Sequence, residues 1–426
     1  MKLKHFILII TIFYINQSEA IDFNNILFLY SETTPSNSYV EYVREDFNER
    51  NPANIEDISS VYHSNIKFWF DVYSKYTSEK ILIHSKLDLS KKFKILDLSK
   101  VYKNAKNSIV AEILKNRLVN HELNVIKTNL QTCYKKKSCN FDINYNYKLS
   151  DILESLRTQT GQLDILQRGI KRFKPYQTII ENIILQTKTD PNWIAIPFLE
   201  SSFNNHAVSK VGATGAWQIM KSVGRRLMPI NNHVDTRKNP IIASYAGLKI
   251  LRQSRIITKN DDITIISYNS GLKNFFKMKK ILNKKNISTE EYLSKSTIKN
   301  KEFNFASENF LLEYYAMKAF LKENLIIKQI KSRNISSQET LPKIYISKCK
   351  SNPGKVLKIL KKLDHNVNLY NNHFKKNALN KTLDHGQIYI TTATLPSRYY
   401  KLIKPKNLDN MAPINWKADY NNCSII

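Results

Sequence analysis

Glu200 is the one carboxylate in the stretch Ile196–Met220, where it ends an apolar run and precedes small polar residues, two glycines and the pair Trp217-Gln218. A lone acid set in apolar company is suited to giving up a proton and taking it back. Upstream, Asp190-Pro191 reads as a helix start, because a carboxylate caps free N–H groups and proline fits the first helical position. Glu200 then falls about three turns along that helix. Pro197 is expected to kink the helix just before the acid. Trp193, Ile194, Ile196, Pro197 and Leu199 would surround the base of Glu200, and such burial disfavours the charged carboxylate and raises its pKa. The same residue also reads as a solvated glutamate at a helix end.

From Asp190 to Ser270 the other acids are Asp235, Asp261 and Asp262, so no second carboxylate lies near Glu200 in sequence. Ordinary glycosidases work with two such groups, one as acid and one as nucleophile or base. A site with one acid needs help from its substrate, and an N-acetyl sugar supplies it through the acetamido oxygen, which can stabilise charge at the anomeric carbon. This points to polymers of amino sugars.

Around Glu200 stand Glu200-Ser201, Phe203-Asn204, Ala207, Ser209, Gly212-Ala-Thr-Gly215, Trp217-Gln218, Asp235-Thr-Arg237 and Tyr268-Asn-Ser-Gly271, in that order. The set resembles the catalytic core of lytic murein transglycosylases with a soluble-transglycosylase domain, most of all the branch of membrane-bound lytic murein transglycosylase D. The resemblance covers residues from about 150 to 322, with looser likeness in the flanks. It implies a peptidoglycan lytic transglycosylase. Such an enzyme cleaves the β-1,4 bond between N-acetylmuramic acid and N-acetylglucosamine without adding water and leaves 1,6-anhydromuramoyl ends. Glu200 would be the catalytic residue, acid and then base, with no cofactor.

Ser209, Gln218, Met220, Tyr268 and Asn269 are the candidate substrate-binding residues. Gln218 can both donate and accept, which suits a sugar amide or hydroxyl. Ser209 would bond Glu200 or the acetamido group, Tyr268 would orient the acid or the acetamido oxygen, and Met220 offers a soft apolar contact. Asn269 leans toward a structural part. Each of these, taken alone, also reads as a satisfied core or loop residue. Asp235 is expected to order its loop with Arg237 or to cap the next helix. Asn205, Ala216 and Ser267 depart from the family pattern, which has proline, a larger apolar residue and alanine there, and Leu272 to Phe276 replaces a stretch where relatives often carry a second glycine.

The elements that must position these residues divide the chain. Lys2, Lys4, the apolar run Phe6 to Ile15 and Ser18-Glu-Ala20 read as a cleavable signal over residues 1–20, the run being too short to span a bilayer comfortably, with an uncleaved N-terminal anchor as the other reading. No cysteine marks lipid attachment. Residues 21–147 form an N-terminal accessory region, with a helix over Asn65 to Tyr76, strands over Lys80 to His84 and Phe93 to Leu98, and a helix from Val101 to Leu130. The catalytic domain is assigned to residues 148–325, with two helices between Ile152 and Leu185 and a closing helix through Leu311 to Phe320. Residues 335–426 form a small module of strand, helix, helix and strand. It resembles a degenerate LysM glycan-binding module without the usual Gly-Asp-Thr opening, and reads equally as a structural cap. The fold class is mainly α: a lysozyme-like helical domain flanked by a helical and β-hairpin N-terminal region and a small α+β C-terminal module.

The chain has 426 residues and a formal charge of +30. That charge favours polyanions, but the lysines are dispersed in a Lys-, Asn- and Ile-rich composition and no nucleic-acid fold signature is present, so nucleic acid is excluded as the partner. Peptidoglycan glycan strands are the partner that the resemblance implies, and cell-wall or outer-membrane association fits an exported chain, periplasmic or secreted. Cys133, Cys139, Cys349 and Cys423 suit an oxidising compartment, and Cys133 with Cys139 would close a small local loop. No close Cys or His pairs suggest a metal. Two other functions stay open: a hydrolysing muramidase on the same fold, and a non-catalytic wall-binding or scaffolding protein.

Overall fold

The computed structural model describes residues 63–139, 146–274, 276, 280, 305–324, 326–327, 342–403 and 424–425. The signal and the tail after Pro405 fall outside these, apart from the short strand at 424–425. The fold is mainly helical, and among the described residues no helix is long and apolar enough to cross a membrane.

The N-terminal part runs α1 (His63–Ser74), β1 (Lys80–Ser85), β2 (Lys92–Asp97), α2 (Ser99–Asn104) and α3 (Ser108–Lys136). Then come α4 (Leu149–Ser155) and β3 (Leu156–Thr160). Leu156–Thr160 corrects the expectation of helix there. It pairs antiparallel with β1, Ile81 opposite Thr160, and completes a sheet of order β2-β1-β3. Alternate side chains of a strand face opposite ways, and β1 uses both faces. Ile81 and Ile83 pack with Leu114, Leu118, Ile126 and Leu130 of α3, whereas Leu82 joins the main helical core. A disulfide joins Cys133 and Cys139 across the end of α3, with Cα atoms 4.7 Å apart.

The helical core continues with α5 (Leu163–Phe173), α6 (Gln177–Gln186), α7 (Ala195–Ser201), α8 (Lys221–Leu227), α9 (Pro240–Thr258), α10 (Asp261–Ser270) and α11 (Phe305–Glu323). Several of its starts are written locally as an Asn or Asp cap. Asn239 accepts from the amides of Ile241 and Ile242 ahead of Pro240, and Asn260 accepts from Ile263. Helix α1 belongs to this core as well, since it packs along α11 and Trp69 Nε1 donates to Asn309 Oδ1 at 3.2 Å. The segment read from sequence as part of an accessory region therefore closes the helical domain.

The C-terminal part holds β4 (Lys343–Ser347), β5 (Lys350–Ser351), α12 (Pro353–Leu360), α13 (Val367–Tyr370), β6 (Ile388–Thr391) and β7 (Tyr400–Ile403). The main sheet has the order β6-β4-β7 and is antiparallel. Here too the strand period splits the side chains. Ile344, Ile346, Ile388 and Ile390 enter the main helical core, while Tyr345 and Tyr389 face a small core with Val356, Leu357 and Leu360. Hydrogen bonds reinforce the seam. Asn239 Nδ2 donates to the Tyr370 carbonyl at 2.6 Å, Tyr176 Oη donates to the Leu369 carbonyl, and the Asp235 amide donates to the His373 carbonyl.

A chain ended before Lys343 would expose that face of the core, where burial of each large apolar side chain is worth about 1.5–3 kcal/mol. We expect the truncated protein to melt well below the full chain in thermal unfolding, whereas an unchanged melting temperature would mark an independent appendage.

Candidate active site

Glu200 is placed by a helix that begins tightly and ends abruptly. Asp190 Oδ1 accepts from the Asn192 amide at 2.9 Å and starts a single 3-10 turn, Pro191–Ile194, which passes directly into α7. Pro197 sits in the first turn of α7, where its missing N–H removes little. The expected break thus occurs upstream of Pro197, as the change from 3-10 to α geometry. Ala195, Ile196, Pro197 and Phe198 are buried, and the Phe198 ring packs with Phe173 and Phe203.

Two successive residues with left-handed backbone end the helix, Ser202 at φ 51° and Phe203 at φ 57°. A bulky side chain rarely adopts this region, at a cost of about 1–3 kcal/mol. Burial of the Phe203 ring among Phe173, Phe198 and Tyr176 offsets it. The Phe203 amide closes the turn on the Pro197 carbonyl at 2.9 Å, so the chain leaves the helix just after Glu200.

The following loop is fastened to that helix end. Ser201 Oγ donates to the Ala216 carbonyl at 3.0 Å and accepts from the Asn204 amide at 2.9 Å. Gly215, at φ 81°, lies against the Arg237 main chain, where an added Cβ would come within 1.8 Å of the carbonyl oxygen. Trp217 is wholly buried, its Nε1 donates to Ser244 Oγ at 3.0 Å, and its ring lies over Gly247, where a Cβ would meet it at 2.2 Å.

Arg237 holds the loop from beneath. Its Nε and Nη2 form a two-pronged pair with Asp235 at 2.9 and 2.8 Å, while Nη1 donates to the carbonyls of Gly212 and Ile219. Burial works to raise the Asp235 pKa, but the hydrogen bonds and charge of Arg237 outweigh it and hold the carboxyl below its ordinary range. Asp235 thus orders its loop with Arg237 and caps the 3-10 turn Thr236–Lys238, whereas the cap of the next α-helix is Asn239.

The candidate residues take distinct places around this frame. Gln218, at φ 45°, donates from Nε2 to the Gly215 carbonyl at 2.8 Å and to Ala207 at 3.4 Å, which leaves Oε1 as the end able to accept. Tyr268 of α10 donates its hydroxyl proton to the Trp217 carbonyl at 2.7 Å, leaving its oxygen lone pairs for a second partner. Ser209 Oγ accepts from the Ala213 amide and shapes the turn. Met220 is 40% exposed at the start of α8, so its thioether stands open to solvent. Asn269 is exposed on α10 beside Tyr268. Two departures from the family pattern bury polar atoms, Asn205 Oδ1 and Ser267 Oγ, that have no hydrogen-bond partner among the described residues.

No hydrogen bond or ion pair reaches the Glu200 carboxylate from the described residues, and burial raises its pKa to about 7. The Glu200 charge, in turn, adds to the burial that raises the Tyr268 hydroxyl well above its ordinary value. A second carboxyl, which the sequence reading did not identify, lies within electrostatic reach. Glu313 projects from α11, which packs on both α7 and α1, and Tyr73 Oη donates to its Oε2 at 3.5 Å. Burial pushes the Glu313 carboxyl up to about 8; the bond from Tyr73 pulls it down and the Glu200 charge pushes it further up. The available signal was an acid inside the apolar run Phe310-Leu-Leu-Glu-Tyr-Tyr-Ala-Met317.

Two expectations follow from these contacts. Arg237→Ala would leave Asp235 unpaired in a buried setting, a loss of about 3–5 kcal/mol. Urea unfolding should show it. Glu200 has a folded pKa near 7 against an ordinary 4.5, so its ionisation weakens the fold as pH rises through that window. Glu200→Gln should therefore gain melting temperature relative to wild type at pH 8, with the gain absent at pH 4.

Comparison with known proteins agrees with this geometry. Residues 180–291, from α6 through the loop and α10, match the Transglycosylase SLT domain. The membrane-bound lytic murein transglycosylases D of Escherichia coli K12 and of Escherichia coli O6:H1 strain CFT073 are each 28% identical to the chain over 102 residues. That match spans 24% of this chain and 23% of each relative. The segment that carries Glu200 is thus similar to the Transglycosylase SLT domain.

Proposed function

We propose that the chain is an exported peptidoglycan lytic transglycosylase, periplasmic or secreted, that cleaves between N-acetylmuramic acid and N-acetylglucosamine. The observation that carries this reading is Glu200 itself, a carboxyl with a pKa near 7 and no cation beside it among the described residues, set within a transglycosylase SLT domain. A group of that kind is protonated often enough to act as an acid at neutral pH and, once ionised, is basic enough to recover a proton.

In the first step Glu200 gives its proton to the glycosidic oxygen as the bond to the anomeric carbon of the muramoyl unit breaks. The acetamido oxygen of that unit shares the positive charge left on the carbon. Glu200, now a carboxylate, removes the proton of the muramoyl 6-hydroxyl, whose oxygen closes on the anomeric carbon. Glu200 ends protonated, as it began, and no water enters the product. Gln218 Oε1 accepts from a substrate N–H or O–H, the Tyr268 oxygen faces the acetamido group, and Met220 lies against a sugar face; Ser209 and Asn269 complete the binding wall. The C-terminal sheet serves as a brace for the loop from Asp235 to Asn239.

A hydrolysing muramidase is the second reading, and Glu313 is the observation that favours it, as a second carboxyl able to activate water. Against it, a carboxyl raised to about 8 keeps its proton at neutral pH and is a poor base there.

Mass analysis of fragments released from purified sacculi separates the two readings. We expect anhydromuramoyl ends, each one water lighter than the hydrolytic product; reducing ends would establish the muramidase. Glu200→Gln keeps the side-chain shape and removes both proton transfers, so the rate should fall by about 10²–10⁴-fold or more, since each transfer alone is worth about that much. Undiminished cleavage would remove Glu200 from the mechanism, and a wild-type chain that binds sacculi without cleaving them would establish a scaffold.

A further inference from the structure

Glu313 has no part in the mechanism above, yet its surroundings are not those of a surface glutamate. It lies within the buried stretch of α11, between Leu312 and Tyr314, both nearly inaccessible to solvent. Each element packed against it brings identifiable titratable groups. Helix α1 brings Tyr73, 1% exposed, whose hydroxyl donates to Glu313 Oε2. Helix α7 brings Glu200, whose charge reaches Glu313. Helix α10 brings Tyr268, which feels the same Glu200 charge, and Asp262, which accepts from Tyr315 on α11. No lysine or arginine pairs with Glu313 or Glu200 among the described residues.

Two half-buried carboxyls within electrostatic reach of each other, with no cation paired to either among the described residues, cannot both ionise freely, and their protons leave in steps that belong to the pair. We propose that Glu313, tied to Tyr73 where α11 packs on α7, forms a coupled carboxyl pair with Glu200 and acts as a positioning residue that governs when Glu200 releases its proton. The inference deepens the transglycosylase reading and rests on it for its catalytic meaning, although the coupling itself does not depend on that activity. Glu313 touches neither substrate nor leaving group in this scheme. Its role is to stay neutral while Glu200 ionises after the first proton transfer, so that the new carboxylate meets a neutral neighbour. At higher pH an ionised Glu313 resists loss of the Glu200 proton and prolongs the acid form.

Coupling is reciprocal, so removing either carboxyl must move the titration of the other toward acid. The test is a carbon-13 titration of glutamate side-chain carboxyls in wild type, Glu200→Gln and Glu313→Gln, each resonance assigned by its loss in the matching variant. Expected is an acidward displacement of the surviving carboxyl by ~0.5 unit or more in each variant. Tyr73→Phe keeps the ring packing and removes the hydroxyl whose bond holds Glu313 down, so the Glu313 titration should rise. If Glu313→Gln does not fold, the Glu200→Gln and Tyr73→Phe arms still decide the matter. Unchanged titration of Glu313 in Glu200→Gln overturns the pair.

Sacculus cleavage supplies the functional arm. Glu313→Gln should move the alkaline limb of the rate profile toward acid, whereas loss of a merely structural side chain lowers the rate equally at all pH values. A uniform loss would overturn the positioning role. Absence of cleavage by wild type would instead remove the transglycosylase reading and leave the titration result standing.

Discussion

A half-buried carboxyl with no cation beside it among the described residues is the constraint from which the rest of this structure follows. Ionising such a group in a protein interior is costly, and a nearby lysine or arginine would relieve the cost by drawing the pKa down and ending its use as an acid. Among the described residues no cation pairs with Glu200, and burial holds its pKa at about 7. The price is that nothing among the described side chains grips the carboxylate, so its position has to come from the main chain. That explains the abrupt end of α7, where two left-handed residues stop the helix immediately after Glu200, and the Ser201 hydroxyl that fastens this end to the loop at Ala216.

Arg237 shows the opposite treatment of buried charge. It is 6% exposed, and four of its hydrogen bonds go to Asp235 and to two loop carbonyls. A fully partnered guanidinium of this kind is worth less as net stability than as a fixed geometry. It sets the spacing between the Gly212–Ile219 loop and the 3-10 turn before α9. The His373 carbonyl accepts from the Asp235 amide, and Asn239 reaches Tyr370 and His373 together, so the end of α13 and the loop after it bear on the same joint. Burial lowers the His373 pKa to about 4, which keeps the ring neutral in this role near neutral pH.

The helical core and the order of site residues were legible because their determinants are local. Asp190-Pro191 starts a helix by capping, Gly215 stands where a left-handed turn meets a neighbouring carbonyl, and Trp217-Gln218 follows at fixed spacing. Leu156–Thr160 was not legible, since it follows α4 with no turn residue between them and owes its strand form to pairing with β1 far back in the chain. Glu313 was missed for a related reason. The argument for a single acid compared carboxylates along the sequence, whereas helix packing is what brings α11 against α7.

The same reasoning bears on how the parts of the chain cooperate. Strands β1, β4 and β6 each turn one row of side chains into the helical core and the other row into a core of their own. A sheet used in this way joins two cores and makes them stable together. Helix α1 brings Tyr73 from the N-terminal part to Glu313, and α13 with the loop after it carries Tyr370 and His373 to Asn239. The N-terminal flank therefore ends on Glu313, whose pKa the Glu200 charge raises, and the C-terminal flank on the joint that holds the loop beside Glu200, so three segments of the chain bear on this site.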